Sequence, residues 1–430
     1  MMTQVDLFRG TRHAFSLLVM LLAASAAAQN VVPAEPVEAL PATSVLEARQ
    51  ETNRVAEPVV EPTAAPLPIQ EQVPVTPVVV AEEVPNKKDL VAARVRDTRA
   101  NPEAQIARDR VAKPKDAETV VRLQIYLDQK GFGPGFIDGK AGKFTTKAVH
   151  AYNRGVGRLA DDWVALLAEA NASVRQTYAT AVVPEVAADW VNPRLPFEYS
   201  LQSQEKRIAY RSYLEFMAER YHTSETFLVE LNGAKKAYGL RARSSLRVPN
   251  VDPFLIEKLT EGRSHGKDET LSARTVVIDT VGRNLFVYEK GTTPRTPGAA
   301  IVVSEKEEGF EPQKLVAMFP ITPGKVQYIH RGEWAVANCF ELPGWGYDKQ
   351  FLETGKRSED RSKVLQIPPG PNLPVGILWS GLTKSGIGIH GSASPRTIGR
   401  SLSAGCIRLS NWDAARFPAL VRPGARVVIR

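Results

Sequence analysis

The residues from Gln29 to about Lys115 confine folding to the rest of the chain. They run through Val31-Val-Pro-Ala-Glu-Pro, Pro62-Thr-Ala-Ala-Pro-Leu-Pro68 and Val73-Pro-Val-Thr-Pro-Val-Val-Val80. Such a stretch has neither helical nor strand periodicity, and each proline removes a backbone donor, so it reads as an extended, disordered tether. Ahead of it, Met1 to Ala28 places Arg9, Arg12 and His13 before an apolar run from Ala14 through Leu22, then small residues ending Ala26-Ala27-Ala28. That order is the order of a secretory signal peptide, and its apolar part falls short of the roughly 20 residues that a spanning helix needs. The expectation is export to the periplasm or cell envelope, with an uncleaved anchor as the alternative.

Order returns at Asp116. Val120, Leu123 and Leu127 fall at helical spacing, Gly131-Phe-Gly-Pro-Gly135 stops that helix, and Thr145 or Thr146 is positioned to cap a second one carrying Ala148, Val149 and Tyr152. Residues 116–190 therefore read as a small helical domain. In residues 196–250, a helix-like segment with Ile208, Leu214, Met217 and Ala218 meets the polar turn Tyr221-His-Thr-Ser224. A second apolar segment then runs to Asn232, and Leu246-Arg-Val-Pro249 closes the region. From 272 to 430 the pattern becomes β. Thr275–Asp279, Asn284–Tyr288, Ala299–Val303, Val375–Trp379, Gly386–Ile389 and Ala425–Ile429 read as short strands, and Asn411–Leu420 as one helix capped by Ser410 or Asn411. The chain is thus a multidomain protein whose mainly β domain follows small helical modules and a tether.

Two short runs of that last region carry chemistry. Gly388-Ile-His390-Gly391 ends in a histidine, and Ser403-Ala-Gly-Cys406-Ile-Arg-Leu-Ser-Asn-Trp-Asp413 sets a cysteine after a glycine, sixteen positions on (406 − 390). A thiol near its unperturbed pKa of roughly 8.5 is only a few per cent thiolate at neutral pH. A neighbouring imidazole, acting as general base and then as general acid, removes that limit. The expectation is a Cys406 thiol ionised by His390, with a depressed pKa, attacking a carbonyl whose oxyanion is held by backbone N–H groups. Cys339 opens the alternative of a Cys339–Cys406 disulfide, although its own surroundings, Trp334-Ala-Val-Ala-Asn-Cys-Phe340, favour simple burial. His150, His222, His265 and His330 have no motif around them, so surface or capping roles are expected.

The run Pro368-Pro-Gly-Pro-Asn-Leu-Pro-Val-Gly376, then Gly386-Ile-Gly-Ile-His-Gly391, Ile398-Gly399 and Ser403-x-Gly-Cys-Ile-Arg-Leu-x-Asn-x-Asp413, resembles the L,D-transpeptidase family over the last third of the chain. The family comprises cysteine enzymes that remodel peptidoglycan cross-links. The resemblance implies a YkuD-type β-sandwich or barrel with a helix after the nucleophile. It makes Cys406 the nucleophile and His390 its proton acceptor and donor. Gly391 orients the imidazole through its carbonyl, Gly405 and Cys406 furnish oxyanion N–H groups, and Ser403 and Arg408 lie beside the site, Arg408 shaping it or meeting a substrate carboxylate. Many members carry histidine directly before the Gly-Cys pair; this chain has Ala404, which puts in doubt any role for a second imidazole there. Residues 116–190 resemble a peptidoglycan-binding helical domain through Leu123-Gln124, Gly131-Phe132, Ile137-Asp138-Gly139 and Gly142. Residues 196–250 read as a LysM-like module that lacks its opening strand, or as a helical spacer.

The formal charge of +8 favours polyanionic surroundings, which include carboxylate-rich peptidoglycan as well as nucleic acid, and export argues against the latter. No phosphate loop, metal-ligand cluster or dinucleotide fingerprint is present in the sequence, so no cofactor is implied. Expected partners are peptidoglycan stem peptides and glycan, with a wall-attached protein as a further acyl acceptor. Two other readings stay open at this point. One is a non-catalytic peptidoglycan-binding anchor; the other is an L,D-carboxypeptidase using the same site with water as acceptor.

Overall fold

The computed structural model describes residues 31–32, 112–290, 313–350, 358–403 and 405–430. The signal-like segment, most of the tether, the expected strand Ala299–Val303 and Ala404 lie outside the described residues. Two tether residues, Val31–Val32 (β1), pair in parallel with Gly344–Trp345.

The first module is three helices, α1 (Ala117–Gln129), α2 (Lys143–Gly155) and α3 (Trp163–Ser173). Asp116 caps α1 by accepting from the Thr119 N–H at 2.7 Å, which satisfies one of the orphan donors of the first turn. Gly142, not a threonine, precedes α2. Thr145 is instead buried and accepts from Gln124, whose other end takes the N–H groups of Asp138 and Gly139 at 2.9 Å. One glutamine thereby ties α1 to the turn after it and to the start of α2.

Strand β2 (Tyr178–Val182) comes next, then helices α4 (Tyr213–Arg220), α5 (Glu225–Asn232) and α6 (Ala234–Tyr238), and strand β3 (Ser245–Pro249). Ser212 and Ser224 cap α4 and α5 through their hydroxyls. Strand β3 pairs antiparallel with β2. Tyr178–Val182, within the stretch 116–190 expected to be helical, is thus a strand that pairs with the end of the next region. Its burial alternates only partially, with Ala181 alone buried, so its period-2 signal is faint. Ile208, expected on the helix, lies ahead of it in an irregular segment and packs with Leu195, Ile367 and Leu373.

The β domain holds β4 (Thr275–Asp279), β5 (Asn284–Lys290), β6 (Gln313–Pro320), β7 (Gly332–Ala335), β8 (Phe340–Glu341), β9 (Gly344–Tyr347), β10 (Leu365–Ile367), β11 (Leu378–Gly381), β12 (Gly388–His390), β13 (Ile407–Arg408) and β14 (Arg426–Ile429). Helix α7 (Asn411–Leu420) lies between the last two strands. A five-stranded sheet has the order β6-β5-β4-β14-β7, and a four-stranded sheet the order β13-β12-β11-β8. Ile278, Leu285, Val287, Phe319 and Val427 of the first share one core with Leu378, Ile389 and Ile407 of the second. The other face of the five-stranded sheet is covered as well. Val277, Tyr288 and Met318 pack into the cluster built by α1, α2 and α3. Burial on both faces explains why Thr275–Ile278 reads as a continuous rather than alternating run.

The modules are joined to the β domain by buried polar contacts as well. Asp128 of α1 receives Arg416 of α7 at 2.6 Å and His222 at 3.0 Å, and His222 stacks on Trp412 with ring centroids 5.7 Å apart. Burial alone would raise the Asp128 carboxyl, yet His222 and Arg416 hold it below the usual carboxylate range. His222, expected at the surface, is thus buried at an interface. Trp345 and Tyr347 meet Tyr199 of the preceding region, with centroids 5.3 and 4.4 Å away.

Candidate active site

Strand β12 runs parallel to β13 with Ile389 opposite Ile407 and His390 opposite Arg408, while Trp379 of β11 lies opposite His390 on the other side. Side chains alternate along a strand, so Ile389 and Ile407 point into the core between the sheets and His390, Arg408 and Trp379 point the other way. One step back along the same register, Cys406 falls beside Gly388 on the His390 face. Burial agrees, since Ile389 and Ile407 are fully covered whereas Trp379, Cys406 and Arg408 are partly exposed. Parallel pairing thus brings together two residues that the sequence separates by a loop.

His390 itself is buried, and its Nδ1 faces the carbonyl oxygen of Gly391 at 2.7 Å. A carbonyl can only accept, so Nδ1 carries the proton and Nε2 keeps its lone pair. Burial, with Arg408 nearby, lowers the imidazole pKa from 6.5 to about 4, against the opposing carbonyls of Gly391 and Val375. Trp379 stacks on the imidazole, with centroids 5.7 Å apart and planes 23° from parallel. Its indole lies over Gly388 and Gly381: a Cβ at either glycine would come within 2.8 Å and 3.0 Å of the indole ring, respectively. Two glycines therefore make room for the aromatic floor of the site. Sequence reading placed Trp379 on a strand without seeing this role; glycines at Gly381 and Gly388, paired across two strands, were the available signal.

The Cys406 thiol lies 3.7 Å from the carbonyl oxygen of Gly386. Burial raises its pKa, while the backbone of Gly388 and the Arg408 charge pull the other way without prevailing. This corrects the expected depressed pKa. A thiol raised and an imidazole lowered favour a neutral pair at rest. Ser403 fixes the turn before the cysteine: its hydroxyl donates to the Cys406 carbonyl at 2.5 Å and accepts the Gly405 N–H at 3.2 Å. The Gly405 N–H that the family resemblance assigns to an oxyanion is thus directed at a hydroxyl. Gly405 adopts φ +130°, and a Cβ on neighbouring Gly324 would sit 2.8 Å from its Cα, a packing that only glycines allow. Arg408 exchanges both backbone hydrogen bonds with Thr322 at 3.0 Å, which locks the far edge of the sheet.

The two cysteines are free thiols. They flank opposite edge strands of the four-stranded sheet, and three strand spacings of about 4.8 Å separate those edges. A bridge needs Cα atoms within about 7 Å, so the disulfide alternative is removed.

A family model for the YkuD L,D-transpeptidase catalytic domain matches residues 273–429. The L,D-transpeptidase YkuD protein of Bacillus licheniformis is 31% identical over 217 residues, which cover 50% of this chain and 92% of that one. The YqjB L,D-transpeptidase of Bacillus subtilis is 27% identical over 141 residues, covering 31% of this chain and 66% of that protein. Among solved structures, L,D-transpeptidase 3 from Mycobacterium tuberculosis overlaps 44% of this chain and 76% of its own at 17% identity, with a TM-score of 0.25. A relative aligned over nearly its whole length at that identity leaves one conclusion: this chain belongs to the YkuD L,D-transpeptidase family and is a transpeptidase enzyme.

Proposed function

We propose that Cys406 and His390 carry out acyl transfer on peptidoglycan stem peptides outside the cytoplasm, through a thioester, in building and remodelling the cell wall. Members of the family act on stem peptides, and the signal-like N-terminus supports an exported site of action. The observation that carries the chemistry is the placing of the two side chains on one face of adjacent parallel strands, with Nδ1 of His390 committed to the Gly391 carbonyl.

The steps follow from that geometry. Nε2 of His390 takes the thiol proton as sulfur bonds to the carbonyl carbon of the donor stem. The oxyanion so formed is stabilised by the Cys406 N–H, joined by the Gly405 N–H once it leaves Ser403. Collapse breaks the C–N bond to the terminal D-residue, and the imidazolium returns its proton to that leaving amine. The thioester is then attacked by an acceptor amine from a second stem or a wall-attached protein, His390 again taking and returning a proton. Arg408, on the same face, supports recognition of a substrate carboxylate.

The test is to incubate the protein with purified disaccharide tetrapeptides and read the products by mass spectrometry. Cross-linked dimers are the expected result. Loss of the terminal residue alone would reassign the site to carboxypeptidase chemistry, and unchanged tetrapeptide would overturn the proposal.

A further inference from the structure

The helix that follows the nucleophile begins with a fully buried asparagine. Asn411 sits at the first position of α7 with no exposed surface. Its Oδ1 accepts the N–H of Ser392 at 3.0 Å and that of Ile377 at 3.4 Å, and its Nδ2 donates to the Pro371 carbonyl at 3.1 Å. These partners fix which end of the amide is oxygen, because a backbone N–H can be met only by an acceptor and a carbonyl only by a donor. Gly376 and Gly391 approach this oxygen so closely that a Cβ on either would come within 2.3 Å of it. Gly391 is the residue whose carbonyl holds the imidazole, so the amide grips the chain immediately beyond that carbonyl.

A buried acid of another module lies beside this amide. Glu219, on α4, is buried, and Asn411 and Tyr210 both interact with its carboxyl. Burial pushes that carboxyl well above the usual carboxylate range, although those two donors favour its charged form. Its Oε1 is buried without a hydrogen-bond partner among the described residues, a further reason for a neutral acid there, since an unpaired charge would be far more costly.

We propose that Asn411 is a positioning residue for His390, setting the Gly391 carbonyl that fixes the imidazole tautomer, and that Glu219 orients the Asn411 amide from the preceding module. The site is therefore completed by a residue outside the catalytic domain. This inference rests on the reading of His390 as the proton carrier for Cys406.

The variants are Asn411→Ala, Glu219→Ala and Glu219→Gln in the full chain, each checked for folding by circular dichroism. Three readouts are taken: turnover of disaccharide tetrapeptides, the rate of Cys406 alkylation by iodoacetamide, and the hydrogen-bonded imidazole N–H resonance of His390. Asn411→Ala and Glu219→Ala should slow alkylation and kcat by about 10- to 100-fold, as expected when a reacting group is displaced by about an ångström. KM should move less than about threefold, and the imidazole resonance should broaden or vanish. Glu219→Gln keeps a neutral hydrogen-bonding group and should stay within about threefold of the parent. If Asn411→Ala does not fold, the two Glu219 variants decide alone. A folded Glu219→Ala protein with parent-like alkylation and resonance, or a Glu219→Gln protein as slow as Glu219→Ala, would overturn the proposal. Alkylation and the resonance need no substrate, so failure of the parent on tetrapeptides would remove the substrate reading and leave this one standing.

Discussion

Two cysteines flank the same four-stranded sheet, and they have opposite properties. Cys339 immediately precedes β8 at one edge, and Cys406 immediately precedes β13 at the other. Edge position therefore does not distinguish them; the face does. Trp379 pairs with Phe340, which puts Cys339 in line with Ser380 and Ile389 on the core side. Cys339 is fully buried there, and its thiol is pushed up to about 12 by burial that Arg422 and Ser380 only partly offset. Cys406 shares the outer face with His390 and Arg408 and retains solvent access. Strand parity thus separates a packing thiol from the one proposed as nucleophile.

The widest separation is expected in turnover. Cys406→Ala removes the sulfur on the imidazole face and should lower cross-linking of tetrapeptides by at least about 1000-fold. Cys339→Ala should leave it within about twofold, measured by the same mass-spectrometric assay. Equal losses would break the comparison. Next in size is His390→Ala. Loss of a positioned general base typically costs about 100- to 10,000-fold, and it should also slow alkylation of Cys406 at neutral pH. Cys339 should stay unlabelled in both the parent and the His390→Ala protein while folded, as peptide mapping would report.

Much of this contrast was legible from the chain, and the missing part has a physical cause. Cys406, His390 and the capped helix after them lie within one short region, where local signals single them out. Ser410 caps α7 and the helix spans Asn411–Leu420 as read. Thr275–Asp279 was equally plain, because a run of branched residues buried on both sides needs no partner to be seen. The burial of His222 was invisible for the opposite reason. It depends on Asp128 and Arg416, which come from two other parts of the chain, and no local pattern announces a buried ion pair. The burial of Glu219 is a second feature set by distant parts of the chain. The raised thiol pKa was likewise missed, since the sequence shows which groups are neighbours but not how much water is removed around them.

The neutral-pair reading makes its own prediction about pH. A buried imidazole with a pKa of about 4 stays unprotonated far below the usual 6.5, so the acid limb of kcat/KM should fall near pH 4 where His390 sets it. A limb near 6.5 would restore the thiolate–imidazolium picture. Stability should follow the same group. Its folded pKa lies below its unfolded one, so between those values the unfolded chain binds more protons and acid favours unfolding. The contribution is fully present above about pH 6.5 and is lost as pH falls to about 4. The difference of 2.5 (6.5 − 4) in pKa corresponds to about 3 kcal/mol. Denaturant titrations of the parent and His390→Ala proteins between pH 7 and 4 would measure it, with the variant expected to lose less stability on acidification.

The smallest effect should invert the ranking of the two cysteines. Cys339→Ser replaces a thiol in a packed, waterless position with a hydroxyl, which is costly when it finds no partner. A partner is at hand in Ser380, whose own hydroxyl already donates to the Asn338 carbonyl at 3.3 Å and so has lone pairs free to accept. The net loss should therefore be only about 1 kcal/mol, read from the denaturation midpoint. Cys406→Ser, at a site that water reaches, should change stability by less than about 0.5 kcal/mol while abolishing turnover. If the larger stability loss came instead at Cys406, the face assignment that separates the two thiols would have to be reversed.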